Sequence, residues 1–227
     1  MTLAQNTPPS PHYHGHRQRL KDRFIKDPTS LPDYEILELV LYWIYPRRDV
    51  KAWAKTLLLQ HGSLHRLMHA PQEDCPPSLQ VALVLISEYA RRVMHYDLKQ
   101  TSLLNNSQRV VDYCHLLMAQ NDVEQFRLFF LDRKYYLISD DIQTGGTLDQ
   151  ISLYPREVVK RALAVNAAFL IMVHNHPSGD PTPSRADIEL TNHLKSSLLP
   201  FNIRVLDHFI IGKKGYFSFR EQGLISD

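Results

Sequence analysis

The chain has 227 residues, of which 44% are hydrophobic and 22% are charged. This is the composition of an ordinary globular protein, and it excludes a wholly disordered or fibrous chain. The 26 lysine and arginine residues nearly balance the 24 aspartate and glutamate residues, so a net charge of +2 gives no general sign that nucleic acid or an anionic membrane is a partner.

Cysteine content and hydropathy indicate the compartment. Cys75 and Cys114 are the chain's two cysteines, so we expect neither a disulfide framework nor a cysteine-based metal site. No apolar run approaches the ~20 residues that cross a bilayer, and residues 1–16 lack the basic start and apolar core of a secretory signal. We therefore expect a cytoplasmic protein with no membrane partner.

Residues 1–15 are rich in proline, histidine and small polar residues and have no hydrophobic period, which predicts a mobile arm. His12, His14 and His16 alternate in sequence, a spacing that sometimes chelates a metal. A flexible arm fixes no coordination geometry, so a solvated tail is the preferred interpretation.

From residue 16 to residue 97 apolar residues recur at helical spacing, which predicts a small all-α domain of four or five short helices. The starts and ends of these helices are indicated by Pro32, Pro46, Asp49, Gly62, Ser63 and Pro77. In the last helix we expect an inward face made of Leu79, Ala82, Leu83, Ile86 and Ala90.

Residues 98–106 have no clear period and are predicted to be a linker. Beyond them, apolar runs predict strands and amphipathic runs predict two helices, so residues 107–227 are expected to form an α/β domain. The predicted strands are 126–131, 135–138, 167–173, 203–211 and 216–219, and the predicted helices are 155–165 and 185–198.

The chemistry of the chain is concentrated between residues 174 and 187. His174 and His176 lie two apart at the end of a predicted strand, so their side chains leave the same face. Ser184 stands at a helix N-cap position, and Asp187 in the first turn points back toward the strand. Two imidazoles and one carboxylate make a three-ligand zinc site that leaves one position for water. A simple Ser184–Asp187 capping box is the alternative.

The pattern His-x-His-Pro-x-Gly-x4-Ser-x2-Asp is the signature of the JAMM (MPN-plus) metalloproteases, and residues 154–191 with 206–212 closely resemble the bacterial RadC family. The resemblance is strong over residues 107–227 and looser over residues 16–97. It implies a JAMM domain of the MPN, cytidine-deaminase-like α/β fold, preceded by a small helical domain.

The resemblance also implies a role for each matching residue. His174, His176 and Asp187 match the zinc ligands, and Ser184 matches the serine that stabilises the oxyanion of the reaction. The implied activity is zinc-dependent hydrolysis of a peptide or isopeptide bond in a protein or peptide substrate, by a zinc-bound water. His193 and His208 receive no assigned role.

The family's general base is a glutamate near an early strand, and two residues of this chain compete for it. Glu124 directly precedes the predicted strand 126–131, where the JAMM pattern places the carboxylate, and is preferred. Glu157 is the competitor, but a glutamate in the first turn of a helix also interacts favourably with the helix dipole.

A DNA-repair or recombination accessory role, in which the metal site is not a protease, is the alternative function. RadC proteins often carry a glycine-rich helix–hairpin–helix turn that contacts DNA phosphates. Here the corresponding residues 71–78 read PQEDCPPS, with two acidic residues and no glycine. This degenerate hairpin gives DNA binding weak support. A protein-interaction module is a third possibility, which the complete ligand set disfavours.

Overall fold

The computed structural model describes residues 13–69, 75–143 and 153–225. The chain divides between Glu88 and Tyr89 into two compact units, called here the first and second units. The arm predicted at residues 1–15 lies mostly outside the described residues, and helix α1 begins at Tyr13. Much of the predicted degenerate hairpin at 71–78 also lies outside them. No helix in the described ranges combines the length and apolar character that a membrane crossing needs.

The regular elements in the described residues of the first unit are all helices. The unit contains α1 (Tyr13–Lys26), α2 (Asp33–Ile44), α3 (Lys51–His61), α4 (Leu64–Met68) and the first half of α5 (Pro77–Gln100). Gly62 ends α3 with a φ of 80°, a left-handed conformation that glycine adopts without strain. The Ser63 hydroxyl then accepts a hydrogen bond from the Arg66 N–H and caps α4.

Two residues of the predicted inward face, Leu79 and Leu83, are buried in the core of the first unit. Its buried side chains include Leu20, Leu37, Leu41, Val50, Ala54, Leu57, Leu67, Leu79 and Leu83. Ile86, which was expected to face inward, is instead 42% exposed. Helix α5 also carries the exposed residues Val81 and Val84, so it has apolar side chains on more than one face. Periodicity alone does not decide which of those faces is buried.

The second unit is an α/β structure built on one mixed sheet. Its elements are α6 (Ser107–Met118), β1 (Phe126–Leu131), β2 (Leu137–Gln143), α7 (Pro155–Ala164), β3 (Phe169–Asn175), α8 (Arg185–Leu198), β4 (Arg204–Gly212) and β5 (Gly215–Ser218). The strand order is β2-β1-β3-β4-β5. Strands β3 and β4 are parallel, and the other neighbours are antiparallel. The predicted α/β class is confirmed.

Helix α6 and the segment before it differ from the sequence-based expectation. Residues 98–100 continue α5, and Leu98 and Leu103, in the predicted linker, are buried in the second unit. Helix α6, which was not predicted, buries Val110 and Cys114 one helical turn apart. Leu98 and Leu103 pack against the sheet core, so the lack of periodicity did not indicate a linker exposed to solvent.

Both faces of the sheet are buried, and the alternation of β3 directs the first histidine. Leu170 and Met172 belong to the core that also contains side chains of α7 and α8. Ile171 and Val173 belong to the core formed with α6. Because successive side chains of a strand point to opposite faces, His174 continues the series of Leu170 and Met172 and points to the side of α8.

Candidate metal centre

The ends of β3 and α8 bring the predicted ligands together. His174 is the second-last residue of β3 and is completely buried. His176 follows the strand, and its N–H donates to the carbonyl of Ile211 on β4 at 3.0 Å. Asp187 lies in the first turn of α8 and is 8% exposed. The strand–turn–helix arrangement inferred from the sequence is therefore the one that the structure contains.

The distances among these side chains suit one small cation. His174 Nε2 lies 3.2 Å from Asp187 Oδ1, and His176 Nε2 lies 3.5 Å from Asp187 Oδ2. The two Nε2 atoms are 3.1 Å apart. In a tetrahedral zinc site with bonds of ~2.0–2.1 Å, neighbouring ligand atoms are separated by about 3.3 Å. Among the described residues, these side chains form the group of histidine and acidic ligands able to hold a metal ion.

Hydrogen bonding explains why the His176 ring directs a lone pair into the space between the three predicted ligands. Its Nδ1 lies 2.8 Å from the carbonyl oxygen of Asp180. A carbonyl oxygen only accepts hydrogen bonds, so Nδ1 carries the proton. In the neutral ring Nε2 is then unprotonated and faces Asp187. A lone pair directed at a carboxylate fits a metal ion between them, and the residues present therefore fit a zinc site.

Asp187 is held as a carboxylate by its surroundings. Burial raises the pKa of this carboxyl group, but close contacts with His174, His176 and Ser184 outweigh burial and bring the pKa well below its usual range. Contact with Asp187 in turn raises the pKa of His176, against the opposing effect of its burial. Without a metal, the carboxylate therefore favours a proton on His176.

Ser184 forms the capping box that the sequence offered as an alternative. Its hydroxyl accepts from the Asp187 N–H at 3.2 Å and donates to Asp187 Oδ2 at 2.6 Å. Its own N–H donates to the same oxygen at 2.7 Å. The capping box and the ligand set coexist, because both lone pairs of Oδ2 can be used while Oδ1 faces His174. Ser184 thus orients the predicted ligand.

Glu124 lies close to the predicted ligands. Phe126 pairs with His174 across the antiparallel strands β1 and β3, and the Gln125 N–H donates to Asn175 Oδ1 at 2.8 Å, so Glu124 directly precedes the end of β1 that lies beside the end of β3. The negative charge of Glu124 is near enough to contribute to the raised pKa of His176. Glu124 is exposed, as a group that exchanges protons with substrate needs to be.

The competing Glu157 lies in the first turn of α7, where its carboxylate is 3.4 Å from Arg156 Nε. Helix α7 also borders, through Arg156 and Lys160, a cavity of about 1090 Å³ that the exposed His193 lines as well. None of the three predicted ligands lines that cavity. His193 therefore lines a cavity that the predicted ligands do not reach.

Sequence reasoning gave no role to His208, and it missed Thr191. His208 Nε2 lies 2.8 Å from His174 Nδ1, and His208 Nδ1 lies 2.7 Å from the hydroxyl oxygen of Thr191. Burial lowers the pKa of His208 well below its ordinary value. The available signal was a single histidine in the otherwise apolar segment 208–211, together with a threonine one helical turn after Asp187.

Comparison with known families agrees with this geometry. A family model described as RadC-like JAB domain matches residues 104–224, which is more than half of the chain. The matched range begins just before α6 and ends after β5. It contains His174, His176, Ser184 and Asp187.

Proposed function

The chain belongs to the RadC-like JAB domain family, and from this premise we propose that it is a zinc-dependent hydrolase of peptide or isopeptide bonds. The observation that carries the proposal is the convergence of His174 Nε2, His176 Nε2 and Asp187 at 3.1–3.5 Å. The proposed substrate is a protein or peptide.

His174, His176 and Asp187 would hold the zinc ion. Three protein ligands are typical of catalytic zinc sites, whereas structural sites usually have four. A bound zinc ion supplies Lewis acidity, which polarises a carbonyl group and makes water a nucleophile near neutral pH. The partial exposure of His176 leaves one side of the site open, while the buried His174 anchors the other side.

Glu124 is the proposed general base. Its carboxylate takes a proton from the attacking water and delivers it to the amine that leaves when the C–N bond breaks. Its place just before β1, its charge acting on His176 and its exposure support this role. The Ser184 hydroxyl donates to Asp187 in the structure, so an interaction with the oxyanion of the reaction requires that hydroxyl to turn toward the substrate.

A matched pair of glutamate variants tests the proposal. Zinc-loaded protein would be incubated with a peptide library and with isopeptide-linked peptides, and mass spectrometry would identify cleavage. We expect Glu124→Gln to lower the cleavage rate by about 10²–10⁴-fold and to keep the zinc. Glu157→Gln should cleave like the unmodified protein, because Glu157 lies on the first turn of α7 and pairs with Arg156.

Equal cleavage by both variants would contradict the role of Glu124. If no peptide or isopeptide is cleaved by the zinc-loaded protein, the hydrolase proposal fails. The DNA-repair accessory role then gains support, provided that the protein binds DNA with an affinity that falls as the salt concentration rises.

A further inference from the structure

A continuous series of hydrogen bonds links two of the proposed ligands, His174 and Asp187, through residues buried behind the site. His174 Nδ1 is 2.8 Å from His208 Nε2. His208 Nδ1 is 2.7 Å from Thr191 Oγ1, and Thr191 Oγ1 is 2.6 Å from the backbone carbonyl oxygen of Asp187. Thr191 and His208 are as buried as His174, since each of the three side chains is at most 1% exposed.

The direction of each hydrogen bond in this series follows from the bond at Asp187. A carbonyl oxygen only accepts hydrogen bonds, so the proton between it and Thr191 Oγ1 belongs to the hydroxyl group. The hydroxyl has one proton, and it is used there. The Thr191 oxygen therefore accepts from His208, whose Nδ1 carries a proton.

Complete burial of the His208 ring favours its neutral form, and packing fixes its orientation. The ring stacks on Phe219 at 4.6 Å between centroids and lies 5.5 Å from the ring of Phe126. With its proton on Nδ1, neutral His208 presents an unprotonated Nε2 to His174. His174 Nδ1 must then donate, and Phe126 stacks on the His174 ring at 4.9 Å and holds it in place.

We propose that Thr191 and His208 are positioning residues that fix His174 in the Nδ1–H tautomer, so that Nε2 is unprotonated and ready to bind the metal. This inference rests on the zinc site of the proposed function, but it concerns metal binding rather than hydrolysis. In many metal sites the ring N–H of a histidine ligand donates a hydrogen bond to a carboxylate or a backbone carbonyl. Here the acceptor of that hydrogen bond is the neutral ring of His208.

The arrangement also couples two ligands. The hydroxyl of Thr191 bonds to the main chain of Asp187, and through His208 it determines the protonation of His174. A change at Thr191 therefore reaches both the helix turn that supplies the carboxylate and the ring that supplies a nitrogen. Neither ligand needs to be altered to test this coupling.

The tautomer is directly measurable in the metal-free protein. Two-bond ¹H–¹⁵N correlation spectra of ¹⁵N-histidine-labelled protein distinguish the two nitrogens of each ring, and His174→Gln and His208→Gln assign the signals. We expect the proton on Nδ1 of both His174 and His208. A proton on Nε2 of His174 in the wild-type protein would overturn the inference.

Variants at Thr191 provide the second readout, which is zinc affinity measured by competition with a chelator. Thr191→Val keeps the shape of the side chain and removes the hydroxyl, so we expect zinc affinity to fall about 10–100-fold. Thr191→Ser should stay close to wild type because it keeps the hydroxyl. Thr56→Val is a control for loss of the same kind of bond, since the exposed Thr56 of the first unit also donates to the carbonyl four residues before it.

The outcomes separate this inference from the proposed hydrolase. Unchanged zinc affinity in Thr191→Val, or an equal loss in Thr191→Ser, would overturn the positioning role. The expected pattern supports it even in a protein that cleaves no peptide, because no readout uses cleavage. A wild-type protein that binds no zinc overturns both the proposed function and the positioning role.

Discussion

A histidine meets a buried carboxylate in each of the two units, and the two contacts have different chemistry. In the first unit, His16 Nε2 lies 2.9 Å from Glu38 Oε1, which also accepts a hydrogen bond from the Tyr42 hydroxyl. In the second unit, the Asp187 carboxylate faces the Nε2 atoms of His174 and His176 at 3.2 and 3.5 Å. The distances alone do not distinguish these three histidine–carboxylate contacts from one another.

The difference lies in where the protons are. His16 and Tyr42 bring protons to Glu38, so donors meet an acceptor and the contact stabilises the fold. His176 Nδ1–H donates a hydrogen bond to the carbonyl oxygen of Asp180. We infer that His174 Nδ1–H likewise donates a hydrogen bond, to His208 Nε2. In the neutral rings, their Nε2 atoms therefore bring lone pairs to a carboxylate, and either a proton on His176 or a metal ion supplies the positive charge. Such a cluster needs a cation, which is why we assign function to the second cluster and stability to the first.

The largest effect on stability that separates the clusters is expected for Tyr42→Phe. It removes a hydrogen bond to the fully buried carboxylate of Glu38, and hydrogen bonds to charged groups contribute about 1.5–3 kcal/mol. Urea titration should show this loss in the free energy of unfolding, with zinc affinity unchanged. Tyr34→Phe is the control, because Tyr34 contacts Glu35 from a less buried position. Equal losses in both variants would contradict the assignment.

A second prediction concerns pH, and it applies to the cluster of the second unit. The free energy of zinc binding there should change by about 1.4 kcal/mol per pH unit. The folded-state pKa of His176 is raised, mainly by its contact with Asp187. The stabilisation by that proton is present below the unfolded value of about 6.5 and is lost as pH rises through the folded value. Zinc needs the neutral ring, so its affinity should fall about tenfold per unit as pH decreases below the raised pKa.

Chelator competition across this pH range measures the effect. Zinc affinity that is constant, or that increases on acidification, would contradict proton competition at His176. Unfolding of the metal-free protein over the same range is the control, and there the contribution of His176 should change in the opposite direction.

The smallest effect is expected from two serine caps, one in each unit. Ser63→Ala and Ser184→Ala each remove an N-cap hydroxyl, which should cost about 1 kcal/mol of stability. Only Ser184 also donates to Asp187, so zinc affinity should fall by up to about tenfold in Ser184→Ala alone. Thermal unfolding with zinc titration tests the pair. A similar loss of zinc affinity in Ser63→Ala would contradict the distinction.

Local signals explain what the sequence predicted well. Helix α8 runs over Arg185–Leu198, as expected from the N-cap serine and the helical period. His174, His176 and Asp187 were found because their spacing follows from the geometry of one strand, one turn and one helix start. All of these signals lie within fourteen residues of one another or within a single element.

Tertiary information explains what was missed. His208 reaches His174 because β4 pairs with β3 in parallel, and Met172 lies beside His208 in that register. The sequence predicted both strands but contained no signal for their register. The burial of Leu103 against the sheet, and the exposure of Ile86, likewise depend on which elements pack together. The domain limits of 16–97 and 107–227 remain predictions.

The metal content of the protein tests the central claim most directly. Protein purified without a chelator and without a histidine tag would be measured by elemental mass spectrometry, together with His176→Ala and a circular dichroism check of folding. The account predicts about one zinc per chain in the wild type and its loss in His176→Ala. A folded wild-type protein that contains no zinc, even after zinc is supplied, would contradict the account.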